Sequence, residues 1–285
     1  MLITILTMFP EMFESFLSGP LPSRAKEKGI ARIRIMDIKE YAGGCYRHID
    51  DSTFGGGAGM ILRAKPVYDA LDAALSADAP QKGAAPDASE EDWDDGPGGS
   101  TGYKDTIIAA LTPVGVPYCQ KTAERYAKLD HLILICGHYE GMDERIYSRV
   151  DERISIGDYV LSGGEIAAQA VADSVLRLLP GILREESTEE ESFCGRGFLE
   201  YPQYTRPADL DGERVPEVLL SGNHEEIRKW RLRESLRATL RYRPDLMEGM
   251  VLTEEEMICM RECGVITYKD IRKRGLMTNG ADDSG

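Results

Sequence analysis

Three short segments combine glycine with polar side chains in patterns that can serve a ligand. The first, DDSTFGGGAGM, carries Gly55, Gly56, Gly57 and Gly59. So dense a run lets the backbone take positive φ and lets a ligand approach it closely. No G-K-[S/T] follows and G-x-G-x-x-G is not met, so neither phosphate-cradling fingerprint is present. Taken alone, the run suits a binding loop or a simple turn. The second, CGHYEGMDERI, places Gly137, His138, Tyr139, Glu140 and Gly141 directly after the apolar run HLILIC. Ligands of open α/β sheets bind beyond the carboxyl ends of strands, which makes these residues suspects. His138 suits a general base or a structural hydrogen-bonding group. The third, ISIGDYVLSGGEIAAQAVADSVLR, sets Gly157 and the Gly163-Gly164 pair before a helix starting near Glu165. Backbone amides there lie beside a hydrophobic shelf of Ile156, Tyr159, Val160 and Leu161, an arrangement suited to a nucleoside, although ordinary glycines of a strand-turn-helix give the same spacing.

These segments need a scaffold. Leu2–Met8, Thr106–Leu111 and His131–Cys136 are short apolar runs, and Arg32–Ile38 alternates. HLILIC reads as a strand buried on both faces. Pro66–Leu75 and Gln120–Leu129 read as intervening helices. Strands alternating with helices predict a mostly parallel sheet covered on both faces, the α/β class, for residues 1–183. Within it, residues 77–103 break the rhythm. From Asp78 to Asp95 seven acidic residues face a single lysine, Lys82, and the segment reads as a disordered acidic insertion. Residues 184–200 have no apolar periodicity and read as a flexible linker. A helix-rich region spans 201–275, and 276–285 is a tail. His224–Arg243 is the main basic island, with seven Lys and Arg against three Glu. Trp230, Leu232, Leu236 and Leu240 recur there at roughly helical spacing, so cations and core contacts can occupy different faces. That pattern fits a solvated amphipathic helix or a phosphate-contacting one through Arg228, Lys229 and Arg231.

Composition bounds the function. The 285 residues carry 34 Lys and Arg against 49 Asp and Glu, a net charge of −15. That balance argues against coating nucleic acid by bulk charge and leaves room for a local basic surface. No apolar run reaches the roughly 18 residues of a membrane span, and the N-terminus lacks a signal-peptide pattern, so a cytoplasmic location is expected, without membrane or DNA partners. The six cysteines form no C-x-x-C pair, which leaves neither a zinc ribbon nor a redox motif.

The three segments in this order, with FPEMF near the start and YPQYTRP (201–207) and LLSGNHEEIRKWR (219–231) after them, closely resemble the bacterial tRNA (guanine-N1)-methyltransferases that modify guanosine at position 37. The resemblance runs to about residue 255 and is interrupted by the acidic insertion. It implies a SPOUT-class α/β domain whose C-terminal part forms a trefoil knot, followed by a linker and a small helical domain that helps grip tRNA. It further implies a homodimer, S-adenosylmethionine as methyl donor, and a requirement for Mg²⁺. The cofactor pocket would comprise Leu111, Pro113, Gly137, Glu140, Ile156, Gly157, Asp158, Tyr159, Val160, Leu161, Gly163 and Gly164. The loop of Gly55, Gly56, Gly57 and Gly59 would recognise the guanosine. Ala167 stands where the family often has proline.

Methylating N1 of guanine requires removal of a ring proton while a sulfonium methyl is attacked in line, so the site needs a base and a cation near the charge that develops. By resemblance Arg177 is the cation facing O6. The family base is an aspartate, and Glu190-Glu191-Ser192-Phe193 places Glu191 at that position with Glu190 as the alternative. An aqueous carboxylate is a weak base, so burial on substrate binding or help from Arg177 is required.

Overall fold

The computed structural model describes residues 1–43, 48–57, 59–76, 105–183 and 191–262, with the backbone of 277–278. The acidic insertion 77–103, the first part of the linker with Glu190, and the tail apart from the backbone of 277–278 lie outside the described residues. The chain divides into two compact units, Met1–Leu183 and Arg184–Gly285.

The first unit is built on a five-stranded parallel sheet in the order β2-β1-β6-β5-β7. Its strands are β1 (Leu2–Thr7), β2 (Arg32–Asp37), β5 (Thr106–Pro117), β6 (His131–Cys136) and β7 (Glu152–Ser155); the short strands β3 (Asp50–Asp51) and β4 (Ile61–Leu62) form a separate antiparallel pair. The helices are α1 (Glu14–Leu17), α2 (Pro20–Glu27), α3 (Ala64–Leu75), α4 (Gln120–Tyr126) and α5 (Glu165–Leu176).

The twofold period of the strands explains the layering. Ile3, Ile5, Leu132, Leu134, Cys136, Ala109 and Leu111 face one side, where they meet Ala168, Val171, Ala172 and Val175 of α5. The intervening residues Leu6, Ile133, Ile135 and Ala110 face the other and meet Val67, Ala70, Leu71 and Ala74 of α3. Alanines on both helices let them sit close to the sheet. Every residue of β6 is buried, as a doubly covered central strand requires.

The expected end of β5 at Leu111 needs correction. Leu111 and Val116 both pair with Ile154, so residues 112–115 leave the ladder and the strand re-engages β7 at Val116 and Pro117. Thr112-Pro113-Val114-Gly115, which follows the apolar run, makes an irregularity inside the strand.

Among the buried polar groups of the sheet, His131 and Thr4 form a pair. His131 Nε2 lies 2.8 Å from Thr4 Oγ1, which also accepts from the Arg34 guanidinium. Burial, and secondarily Arg34, push the His131 pKa down to about 4 from 6.5. The unfolded chain therefore binds a proton between pH 6.5 and about 4 that the folded chain refuses, and stability falls as pH drops through that window. We expect His131→Gln to flatten the pH dependence of the urea midpoint between pH 7 and 5; an unaltered slope would assign that dependence to other groups.

The second unit holds α6 (Glu217–Leu220), α7 (His224–Tyr242) and α8 (Glu254–Glu262), the hairpin of β8 (Asp209–Leu210) with β9 (Glu213–Arg214), and the pair β10 (Val251–Leu252) with β11 (Met277–Thr278). Phe198, Leu236, Leu240, Met247, Leu252, Cys259 and Met260 form its core. Asn223 Oδ1 caps α7 by accepting from Glu226 N at 3.3 Å.

Candidate functional site

Three chain segments converge on the turn 137–141 at the carboxyl end of β6. From β5, the Leu111 carbonyl lies close enough that a Cβ on Gly137 would sit 3.3 Å from it. From the amino end of α5, Gly164 N donates to Gly137 O at 2.7 Å, and His138 bridges to Gly163. A Cβ on Gly164 would stand 2.8 Å from the Cys136 Cα, so only glycine lets the segment pass the strand end this closely. The third contact is the glycine loop. Glu140 N donates to Met60 O at 3.2 Å, and Met60 N donates back to Glu140 Oε2 at 2.9 Å.

That reciprocal pair explains Gly59. Its φ is +87°, and a Cβ would fall about 2 Å from the Glu140 carboxylate. We expect Gly59→Ala to displace Glu140 and strain the loop, loosening it by about 2 kcal/mol. The readout is roughly thirtyfold faster hydrogen exchange at the Met60 amide; unchanged exchange would show that Glu140 does not hold the loop. Gly55, Gly56 and Gly57 share positive φ and are exposed.

His138 sits in a bracket. Its ring lies 4.8 Å from Phe9 and 4.9 Å from Tyr139, and Nδ1 lies 3.8 Å from Oε2 of the buried Glu165. Thr7 Oγ1 donates to Glu165 Oε1 at 2.8 Å. This geometry favours the structural reading of His138, and a carboxylate in the first turn also suits the helix dipole. Thr7 and Glu165 were missed by sequence reasoning, since neither stands out until β1 and α5 are adjacent. Tyr139 takes positive φ, and burial followed by the Asp50 carboxylate raises its pKa.

Beyond β7, Ile156–Leu161 forms a tight loop. Tyr159 N donates to Gly157 O at 3.0 Å and Ser155 Oγ donates to the same carbonyl at 3.1 Å. Asp158 is exposed, and Tyr159 and Val160 remain 55% and 86% exposed. The side chains of Tyr159 and Val160 thus stand clear of the core. Pro113 is exposed in the irregular part of β5, and Leu111 is buried. Arg177 caps the carboxyl end of α5, its N–H donating to Asp173 O. Among the described residues, no group of three or more His, Cys, Asp or Glu is placed to hold a metal ion. The described cysteines, Cys119, Cys136, Cys194 and Cys259, form no disulfide among the described residues.

In the second unit, the chain from Glu191 does not run as a free connector to residue 200. Phe193 N donates to Phe198 O, Gly197 N to Cys194 O, and Glu200 N to Ser192 Oγ. Leu199 is fixed to α7, its N–H donating to Thr239 Oγ1 and its carbonyl accepting from Ser235 Oγ. The acidic composition concealed these contacts because backbone groups make most of them.

The basic helix is partly neutralised from within. Arg228 pairs with Glu225 and Glu255, and Lys229 with Glu225 and Glu226. The Arg231 guanidinium lies 4.8 Å from the Tyr201 ring centroid, and Trp230 lies 6.4 Å from Tyr204. The sequence count of cations overstated the free charge because the partner Glu255 comes from α8.

The family model described as tRNA (Guanine-1)-methyltransferase TrmD matches residues 1–249. The tRNA (guanine-N(1)-)-methyltransferase of Geobacillus kaustophilus is 46% identical over 264 residues, covering 92% of this chain and 98% of the relative. The protein of that name from Bacillus subtilis is 44% identical over 257 residues, covering 90% and 96%. Its namesake from Limosilactobacillus fermentum is 43% identical over 262 residues, covering 92% and 96%. With matches of this extent across both units, the chain belongs to the tRNA (guanine-1)-methyltransferase family.

Proposed function

We propose that this chain transfers a methyl group from S-adenosylmethionine to N1 of guanosine at position 37 of tRNA, beside the anticodon, working as a cytoplasmic homodimer. The convergence of Met60, the 137–141 turn and Gly163-Gly164 at the end of β6 supports this reading. Within it, residues 1–183 are the SPOUT domain with a trefoil knot in its C-terminal part. Residues 184–200 join that domain to a tRNA-gripping helical domain over 201–275. No helix among the described residues is long and apolar enough to cross a membrane.

The residues present fit the methyl donor. Backbone groups of Gly137–Gly141, Ile156–Leu161 and Gly163-Gly164 would hold the adenine and ribose, and Tyr159 and Val160 would cover apolar surface. When bound, the donor supplies an electrophilic methyl on a charged sulfur. Glu191 takes the N1 proton, and Arg177 stabilises the negative charge that spreads to O6. The glycine loop holds the splayed guanine, the usual strategy of enzymes acting on bases. Arg228, Lys229 and Arg231 meet RNA phosphates, which compete for these cations with Glu225, Glu226 and Glu255. No step is assigned to Mg²⁺, for which the described residues offer no cluster.

The test is methyl incorporation into tRNA transcripts bearing guanosine or adenosine at position 37, mapped by reverse-transcription stops. Incorporation into the guanosine transcript alone is expected. Labelling of both would indicate another RNA position, and labelling of neither would indicate an RNA-binding protein without this activity.

A further inference from the structure

The turn that carries Glu191 is tied to a helix cap. Thr253 and Glu256 form a capping box at the amino end of α8: Glu256 N donates to Thr253 Oγ1 at 3.2 Å, and Thr253 N donates to Glu256 Oε2 at 2.7 Å. Glu256 is 5% exposed, so its remaining acceptor sites cannot be left to water without cost. Arg196 fills them. Its Nε donates to Oε1 at 2.9 Å and its Nη2 to Oε2 at 2.8 Å, and Nη2 also donates to Val251 O at 2.7 Å.

Arg196 sits at the middle of the 191–200 turn, between Gly195 and Gly197, both at positive φ. Two flanking glycines would leave the middle of the turn free to hinge. The far end is held independently: Phe198 is buried in the core of the second unit and Leu199 is bonded to α7. A capping box alone needs no arginine, and a surface turn alone needs no buried carboxylate. Joining them fixes the turn from both sides.

We infer that Arg196 is a positioning residue for methyl transfer: its two-pronged pair with Glu256 holds the turn that follows Glu191 on the amino end of α8 and so narrows the arrangements open to the main chain at Glu191. This rests on the reading of Glu191 as the base. The planar fork matters because a lysine ammonium cannot occupy both carboxylate oxygens and the Val251 carbonyl with the same geometry.

The experiment uses the full-length chain with Arg196→Met, which keeps most of the stem, and with Arg196→Lys. Hydrogen exchange reports the 192–200 amides, with those of α5 as reference. Single-turnover methyl transfer at saturating tRNA and S-adenosylmethionine reports the rate, and filter binding reports tRNA affinity. For Arg196→Met we expect at least tenfold faster exchange confined to the turn, a rate lowered about thirtyfold, as a misplaced group produces, and tRNA affinity within twofold of the parent. Arg196→Lys should recover part of the rate.

An Arg196→Met rate within twofold of the parent, alongside faster exchange, would overturn the positioning role. Unchanged exchange would overturn the clamp itself. Should Arg196→Met lose its fold, Arg196→Lys carries the test, and a rate equal to the parent's sinks the proposal. Full activity of Glu191→Gln would instead remove the assignment of the base, and the exchange result would still report the clamp.

Discussion

Glu191→Gln is expected to slow methyl transfer by about 10²- to 10⁴-fold, the range that a positioned general base contributes. The amide keeps the size and hydrogen-bonding reach of the carboxylate and loses its capacity to accept the N1 proton. Binding of S-adenosylmethionine, measured by calorimetry, should change by less than about twofold, because the residues proposed for it belong to the first unit. The change is also expected to spare the fold. Glu191 O accepts from Cys194 N through the main chain, and Phe193, Leu199 and Arg196 hold the turn through bonds of their own. Retained activity would move the base elsewhere, with Glu190→Gln as the next variant. A loss of cofactor affinity equal to the loss of rate would reassign Glu191 to binding.

The central sheet was legible because its signals are local. HLILIC, LITILT and TIIAAL are runs whose period and length suffice to assign strands, and the Ala-rich stretch after Gly164 announced a helix that could lie close to them. The features missed depend on partners distant in sequence. Thr7 and Glu165 meet only because β1 and α5 pack together, and Arg228 loses part of its free charge to Glu255 on another helix. The strand β7 is four residues long and mixed in polarity, so no periodicity marks it. The irregularity in β5 has a similar origin, since the apolar run ends at Leu111 and pairing with β7 carries the strand beyond it. In the candidate site, the glycine segments were visible as composition, whereas the reciprocal bonds between Met60 and Glu140 supply the reason for Gly59. Neither the capping box Thr253–Glu256 nor the attachment of Arg196 to it was read from the sequence.

Arg177→Ala is expected to lower single-turnover methyl transfer by about 10²- to 10³-fold, the loss typical when one donor to a developing oxyanion is removed. A second role for this residue has to be separated from catalysis. Arg177 is the carboxyl-cap residue of α5, a position at which a cation can complement the negative end of the helix dipole. That contribution is about 0.3–1 kcal/mol at a partly exposed helix end, far below the roughly 3–4 kcal/mol equivalent of the expected rate loss. Stability alone therefore cannot account for such an effect when the variant is folded at the assay temperature. Arg177→Lys separates the two roles further. It keeps a positive charge at the helix end, so the melting midpoint should return close to that of the parent. It removes the planar pair of donors suited to a carbonyl oxygen gaining charge, so the rate should recover only in part. A lysine variant with the full parental rate would reduce Arg177 to a point charge, and an alanine variant with the full rate would remove it from the reaction.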